Sequence, residues 1–273
     1  MRRMCIDKLR FWSIAVISVA GISGCDIHRT FRVQSQTVNL TSLDQIEHSK
    51  NACVKPILYT NVKGLEKLPV GKAKAKFIAA VLPSILVAKH RIEQYRKRLV
   101  RLKHKPCWEA ADSAFYFGLK VRYKAKSLDD LVACMGTLPT SIVLAQAAVE
   151  SGWGKSRFFL KASNLFGVWS FNAYESRIPA RSTRGKKMIY LRSYEDMSQS
   201  INDYFEILAC SRAYNALRDA RHYTDDPFKL LPHLRNFSER RTAYTNQLKI
   251  LILKNNLTHY DHYQIDPHYL ISE

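Results

Sequence analysis

Acidic side chains are scarce in this chain. It has 23 Asp and Glu against 43 Lys and Arg over 273 residues, a formal charge of +20. An excess of that size asks for a polyanionic partner. Metal-ligand spacing is lacking as well. The six cysteines contain no CxxC pair and the nine histidines are scattered, so no metal and no cofactor are expected. Long apolar runs are also missing. The longest near the start, Phe11 to Ser23, is too short to span a bilayer comfortably as a mature helix.

That short run follows a basic stretch, Met1 to Arg10, and together they read as a secretory signal. Ile22-Ser23-Gly24-Cys25 resembles the lipobox of bacterial lipoproteins, in which the Cys becomes the lipidated first residue. Asp26 behind it resembles an inner-membrane retention signal. The resemblance implies export, with a lipid anchor at Cys25 in a membrane facing the periplasm. An ordinary signal peptide cut nearby, or an uncleaved anchor, is the alternative. Losing residues 1–24 removes Arg2, Arg3, Lys8 and Arg10 against Asp7, so the chain stays strongly basic. An exported protein rarely meets nucleic acid. Wall peptides with free carboxylates and anionic phospholipids are the remaining polyanions.

Of the cysteines outside the signal, Cys53, Cys107, Cys134 and Cys210 are widely spaced. They allow up to two disulfides in three pairings, or four buried free thiols. Residues 25–66 are polar and without sustained periodicity, which reads as a tether, with a short helix at Leu40, Leu43 and Ile46. Residues 67–105 read as an N-terminal helical segment. Val81, Ile85, Ala88, Ile92, Tyr95, Leu99 and Leu102 recur at alternating spacings of four and three, and Pro83 should kink the helix or mark its first turn. Its other face carries Lys89, Arg91, Arg96, Lys97, Arg98, Arg101 and Lys103, either a solvated face or a wall- or lipid-facing surface. Pro106 ends it. Helices follow over 110–123 and 127–135, the second capped by Ser127.

Pro139 to Trp169 is the stretch around which the rest is organised. Pro139 suits a helix start, where Thr140 and Ser141 can serve the free amides. Ile142, Leu144, Ala145, Ala147, Ala148 and Val149 make a nearly apolar, buried helix that Gly152 and Gly154 end. Glu150 stands at its end. Burial and the negative end of the helix dipole both disfavour a charged carboxylate there, as a general acid needs. A Glu whose head group simply reaches water is the plainer reading.

Glu150-Ser151-Gly152-Trp153-Gly154 and Asn164-Leu165-Phe166-Gly167-Val168 together resemble the active-site signature of the glucosaminidase family of peptidoglycan hydrolases, most closely its Bax-like members. The similarity runs over roughly residues 72–261. It implies a mainly α, lysozyme-like helical catalytic domain over 106–258, with a small loop or β-hairpin flap and an N-terminal helical segment before it. It also implies that Glu150 is the catalytic acid and that glycan strands of peptidoglycan are the substrate. Sugar rings stack on flat side chains, which makes Trp153 and Trp169 groove candidates; Asn164 could orient backbone or substrate by its amide.

The loop and possible hairpin fall at Phe171 to Tyr194, beside a basic run of Arg177, Arg181, Arg184, Lys186 and Lys187. Many family members place a second Glu there. Glu175 is the candidate here; the alternative is that it only pairs with Arg177. With a second carboxylate the pair works as acid and base; without one, the substrate's 2-acetamido group can act as nucleophile. The next helix runs to Cys210, with Ser193 as its cap, Glu195 and Asp196 in its first turn, and Met197, Ile201, Tyr204, Phe205 and Leu208 on one face. Relatives carry a Tyr where Phe237 stands, before Ser238-Glu239-Arg240; Tyr244 is retained and is a cleft candidate. Residues 259–273 read as a loose tail. Three functions fit: an endo-acting N-acetylglucosaminidase, a lytic transglycosylase on the same fold, or a wall-binding lipoprotein without catalysis.

Overall fold

A computed structural model of the chain describes residues 30–49, 51–184 and 187–272. The signal segment and Cys25 lie outside the described residues.

The stretch expected to be a tether is folded from residue 30 onward. It contains β1 (Phe31–Val33), β2 (Gln36–Asn39), β3 (Cys53–Val54) and β4 (Ile57–Thr60). β2 and β4 pair in parallel. Leu40, Ile46, Val54, Leu58, Tyr59, Val62 and Leu65 are buried, which no free tether would allow. The short helix expected around Leu43 is a single 3-10 turn, Leu43–Gln45, with a capping box from Ser42.

Helix α1 (Val70–His104) is the spine of the molecule. Its expected stripe is the buried face: Val81, Ile85, Ala88, Ile92, Leu99 and Leu102 are all in the core. Half-buried Tyr95 meets Phe115 edge-on at 5.5 Å. Pro83 neither starts nor ends the helix but lies inside it, since Pro69 already occupies the N-cap. The helix is not a separate segment. Its core residues share one apolar cluster with those of every later helix up to Ile252.

Helices α2 (Ala110–Arg122), α3 (Leu128–Cys134), α4 (Thr140–Ser151) and α5 (Arg157–Ala162) follow. Ser127 caps α3 by accepting from the Asp130 amide at 3.1 Å, as its sequence suggests. β5 (Trp169–Ser170), β6 (Arg177–Arg184) and β7 (Lys187–Arg192) form an antiparallel sheet in the order β5-β7-β6, the expected hairpin with one short strand added. α6 (Met197–Cys210) buries Met197, Ile201, Tyr204, Phe205 and Leu208. Its cap is Asp196, which accepts from the amides of Ser198 and Gln199, not Ser193. α7 (Asn215–Ala220), α8 (Pro227–Leu230) and α9 (Thr242–Lys254) complete the helices.

The expected loose tail is also folded. β8 (Gln264–Ile265) pairs with β3, and β9 (Leu270–Ser272) pairs with β1. Asp261, in the 3-10 turn before them, accepts from the Ser141 amide at 2.7 Å and the Ser141 hydroxyl at 2.8 Å. A residue of the tail thus serves the amide expected to be served by α4's own Thr140 and Ser141. Cys53, Cys107, Cys134 and Cys210 are free thiols, so neither disulfide forms.

Candidate active site

α4 is buried along almost its whole length, from Thr140 to Ala148 and again at Ser151. An apolar helix can sit there because its backbone bonds are satisfied internally. Gln146 and Glu150, four residues apart, share one face of it. Gly152 closes the helix at φ +58°, and the Trp153 amide returns to the Ala148 carbonyl at 2.8 Å. Gly154 follows at φ +79°; a Cβ there would stand 2.7 Å from Leu65 Cδ1 and 3.0 Å from Phe77 Cδ2. The turn that ends α4 beside Glu150 is therefore pressed against the start of α1.

A file of side-chain hydrogen bonds ends on the Glu150 carboxylate. The Tyr204 hydroxyl donates to Gln146 Oε1 at 2.5 Å. Gln146 Nε2 donates to the Tyr244 hydroxyl at 3.1 Å, and that hydroxyl donates to Glu150 Oε1 at 2.9 Å. Every donor in the file points the same way, toward Glu150. Burial pushes both tyrosines well above their ordinary pKa, so they remain donors throughout the physiological range. Burial also raises the Glu150 carboxyl; the Tyr244 hydrogen bond and the nearby Arg240 charge work against it and do not win.

Aromatic rings hold the file in place. Phe237 lies parallel to Tyr244 at 5.9 Å between centroids and edge-on to Tyr204 at 5.9 Å. Phe166 stacks on Tyr204 at 4.3 Å. The ring at position 237 thus packs against both tyrosines without a hydroxyl of its own.

The remaining candidates separate. Tyr244 is wholly buried, so its hydroxyl serves Glu150 and is not open to substrate as a binding group. Asn164 is 1% exposed, and its amide is committed to the backbone: Nδ2 donates to the Val168 and Arg192 carbonyls, and Oδ1 accepts from the Val168 amide. It latches the loop to β7 and offers nothing to a sugar. Trp153 is half-buried, edge-on to Phe77 at 5.6 Å, with Lys74 Nζ 4.9 Å over its ring. Trp169 is 40% exposed and neighbours the more exposed Phe171 at 6.2 Å, the two rings tilted by 44°, an exposed aromatic pair at the root of the hairpin.

Glu175 does not join the Glu150 file. It forms an ion pair with Arg192, Oε2 to Nε 3.3 Å, and lines a cavity that Glu150 does not. Arg177, its other expected partner, stacks over Tyr190 at 4.0 Å instead. Desolvation acts to raise the Glu175 carboxyl, but Ser170 and the Arg192 guanidinium together hold it below the ordinary range. Among the described residues no cluster of His, Cys, Asp or Glu could hold a metal ion. Gln146 and Tyr204 were missed as site residues from sequence. The signal was available: Gln146 is an amide side chain inside an apolar run, four residues before the Glu.

Comparison with known proteins identifies the family. The family model for mannosyl-glycoprotein endo-β-N-acetylglucosaminidase matches residues 125–269. Protein bax of Escherichia coli (strain K12) is 26% identical over 217 residues, 74% of this chain and 76% of that protein. Exo-glucosaminidase LytG of Bacillus subtilis (strain 168) is 24% identical over 143 residues, 46% of this chain and 47% of that protein. The catalytic domain of the autolysin Auto from Listeria monocytogenes overlaps 60% of this chain and 96% of its own, at 20% identity and a TM-score of 0.38, too slight a likeness to bear on the fold. The family match spans more than half of the residues and contains Glu150, Gln146, Tyr204 and Tyr244 together, and the chain belongs to the glucosaminidase family as a Bax-like member.

Proposed function

We propose that this chain cleaves the N-acetylglucosaminyl bond to N-acetylmuramic acid within peptidoglycan, with Glu150 as the general acid. It is a glycoside hydrolase acting on the cell wall. The observation that carries the role of Glu150 is its half-buried carboxyl at the end of a one-way file of donors.

The chemistry follows from that arrangement. Burial favours the protonated carboxyl, which supplies a proton for the departing sugar oxygen. Once the proton leaves, Glu150 is a carboxylate facing the Tyr244 hydroxyl. Tyr244 is polarised by Gln146, and Gln146 by Tyr204. Hydrogen bonds in such a file strengthen as charge appears at its end, without needing to reorient. The file therefore stabilises the product of proton transfer more than its reactant.

In the same step, the separate network of Glu175 favours the substrate's 2-acetamido oxygen as the nucleophile that bonds to C1 as the bond to the departing oxygen breaks. Water then opens the cyclic intermediate and a proton returns to Glu150. The exposed Trp169–Phe171 pair is the surface we assign to sugar stacking.

The test is mass spectrometry of fragments released from purified peptidoglycan by wild type, Glu150→Gln and Glu175→Gln chains. Reducing N-acetylglucosamine ends are expected from wild type and still from Glu175→Gln, with at least a hundredfold loss in Glu150→Gln. Anhydromuramyl ends would make the protein a transglycosylase. Release by Glu150→Gln at the wild-type rate would remove Glu150 from the mechanism. We also propose that Cys25 anchors the chain to the periplasmic face of the inner membrane, on the resemblance of Ile22-Ser23-Gly24-Cys25 to a lipobox. Labelled palmitate should enter the chain in cells and be absent from Cys25→Ala; equal labelling of both would refute the anchor.

A further inference from the structure

Next to Tyr204 on α6, Asp203 turns to a different cavity of about 470 Å³. Arg91 and Tyr95 of α1, Arg122 of α2, Glu175, Arg192 and Asn202 are among its walls. Glu150, Gln146 and Tyr244 are not. Much of its charge is already matched. Arg192 Nη1 donates to both oxygens of Asp203 at 2.8 and 2.7 Å, Tyr194 donates to the same carboxylate at 2.5 Å, and Arg122 is paired with Glu206.

What is left over is specific. Glu175 Oε1 and Asn202 Oδ1 are buried acceptors without a hydrogen-bond partner, and both belong to residues of this one cavity; Arg192 Nε is taken up by its ion pair with Glu175 Oε2 at 3.3 Å. Each such atom is a cost to the fold if nothing meets it. Among the described residues Arg91 likewise has no carboxylate or carbonyl partner, although it lines the same space. The cavity therefore offers two uncommitted acceptors, one of them a carboxylate oxygen, and an uncommitted guanidinium. A ligand that answers all of them carries an ammonium and a carboxylate together. A neutral sugar would meet the acceptors and leave Arg91 unused.

We propose that this cavity binds an α-amino-acid group, its ammonium against Glu175 and Asn202 and its carboxylate against Arg91. The assignment stands on the cavity and does not depend on Glu150 being catalytic. Such a group can be presented by the peptide branch of a wall strand or by a free amino acid.

The experiment is calorimetric titration of the purified full-length chain with L-alanine, with a dipeptide of alanine and 2,6-diaminopimelate whose side chain ends in an α-amino-acid group, and with N-acetylglucosamine. Saturable binding of one or both amino-acid probes is expected, weakened at least tenfold by Glu175→Gln and by Arg91→Met. Binding of the dipeptide alone assigns the site to the wall peptide; binding of both probes extends it to free amino acids. Circular dichroism of each variant checks that it is folded. The proposal fails if neither amino-acid probe saturates, or if binding is indifferent to both substitutions. It also fails if N-acetylglucosamine binds with the same sensitivity to them, which would make this a sugar subsite.

Discussion

Replacing Tyr244 by Phe removes one oxygen and keeps the ring that packs on Phe237. Two hydrogen bonds go with it: the donation to Glu150 Oε1 at 2.9 Å and the acceptance from Gln146 Nε2 at 3.1 Å. A hydrogen bond to a charged group contributes about 1.5–3 kcal/mol. One pKa unit corresponds to about 1.4 kcal/mol, so the Glu150 carboxyl should rise by a further one to two units or so. Glu150 has to be protonated to act as an acid, so activity falls as pH climbs through its pKa. The basic limb of the pH–rate profile should therefore move upward by about one to two units in Tyr244→Phe. At the plateau the rate should drop roughly ten- to a hundredfold, because the carboxylate formed by proton transfer has lost its donor. The assay is the initial rate of reducing-end release from peptidoglycan between acid and mildly basic pH, with thermal melts beside it. Those melts should show a loss of about 1–3 kcal/mol, since Gln146 Nε2 is left buried without a partner. A basic limb that stays where it is, or moves to lower pH, would refute the donor file as the device that sets Glu150's acidity.

Two further outcomes follow from the same geometry. The Glu150 carboxyl has a higher pKa folded than unfolded, so the stability it confers is fully present in acid and is lost as pH rises through the folded pKa. Glu150→Gln should therefore melt higher than wild type on the basic side, by about 1.4 kcal/mol per unit of raised pKa, with the two melting curves converging in acid; a constant offset at all pH values would contradict the raised pKa. Gly154→Ala sets a Cβ against Leu65, Phe77 and Phe159 at a φ of +79°, and should lose about 1–3 kcal/mol by denaturant titration; an unchanged midpoint would mean that the turn after α4 yields.

The parts of the fold that could be read in sequence are those whose partners lie along one face. The α1 stripe, the apolar run of α4 and the Met197-to-Leu208 face of α6 each carry their own period, and each is buried as that period requires. What escaped is pairing at long range. β1, β3, β8 and β9 are two or three residues long, too short for alternation to show, and their partners lie more than two hundred residues away along the chain. The same distance separates the reading of a tether and a tail from what residues 30–66 and 259–272 form. Asp261, from that tail, caps the helix that carries Glu150. In the site, Glu150 was singled out by the resemblance of Glu150-Ser151-Gly152-Trp153-Gly154 to the family signature; a lone carboxyl ending an apolar helix left the plainer reading open. Tyr244 was legible as a residue but not in its role, because nothing local says that its hydroxyl reaches α4 from α9. Glu175 was the reverse case: its position in the loop suggested catalysis, and Arg192, seventeen residues on across the hairpin, decides its surroundings.

The pairing of β1 with β9 also sets how the molecule would respond to tension. A pull delivered through the residues before Thr30 reaches the Phe31↔Ser272, Arg32↔Ile271 and Val33↔Leu270 pairs together with the bonds to α1, where Arg101 donates to the Thr30 hydroxyl at 3.3 Å and the Phe31 amide donates to Gln94 Oε1 at 3.0 Å. The force then passes to the hydrogen bond between the Gln34 amide and the Tyr269 carbonyl. Among the described residues β1 and β9 are the outermost strands and act as a clasp, and β1 is also tied to α1, so a load on the N-terminal side is shared between the C-terminal strand and α1. If Cys25 holds a membrane while the active site grips a wall strand, the strain between them falls on this three-residue clasp and on the α1 bonds beside it.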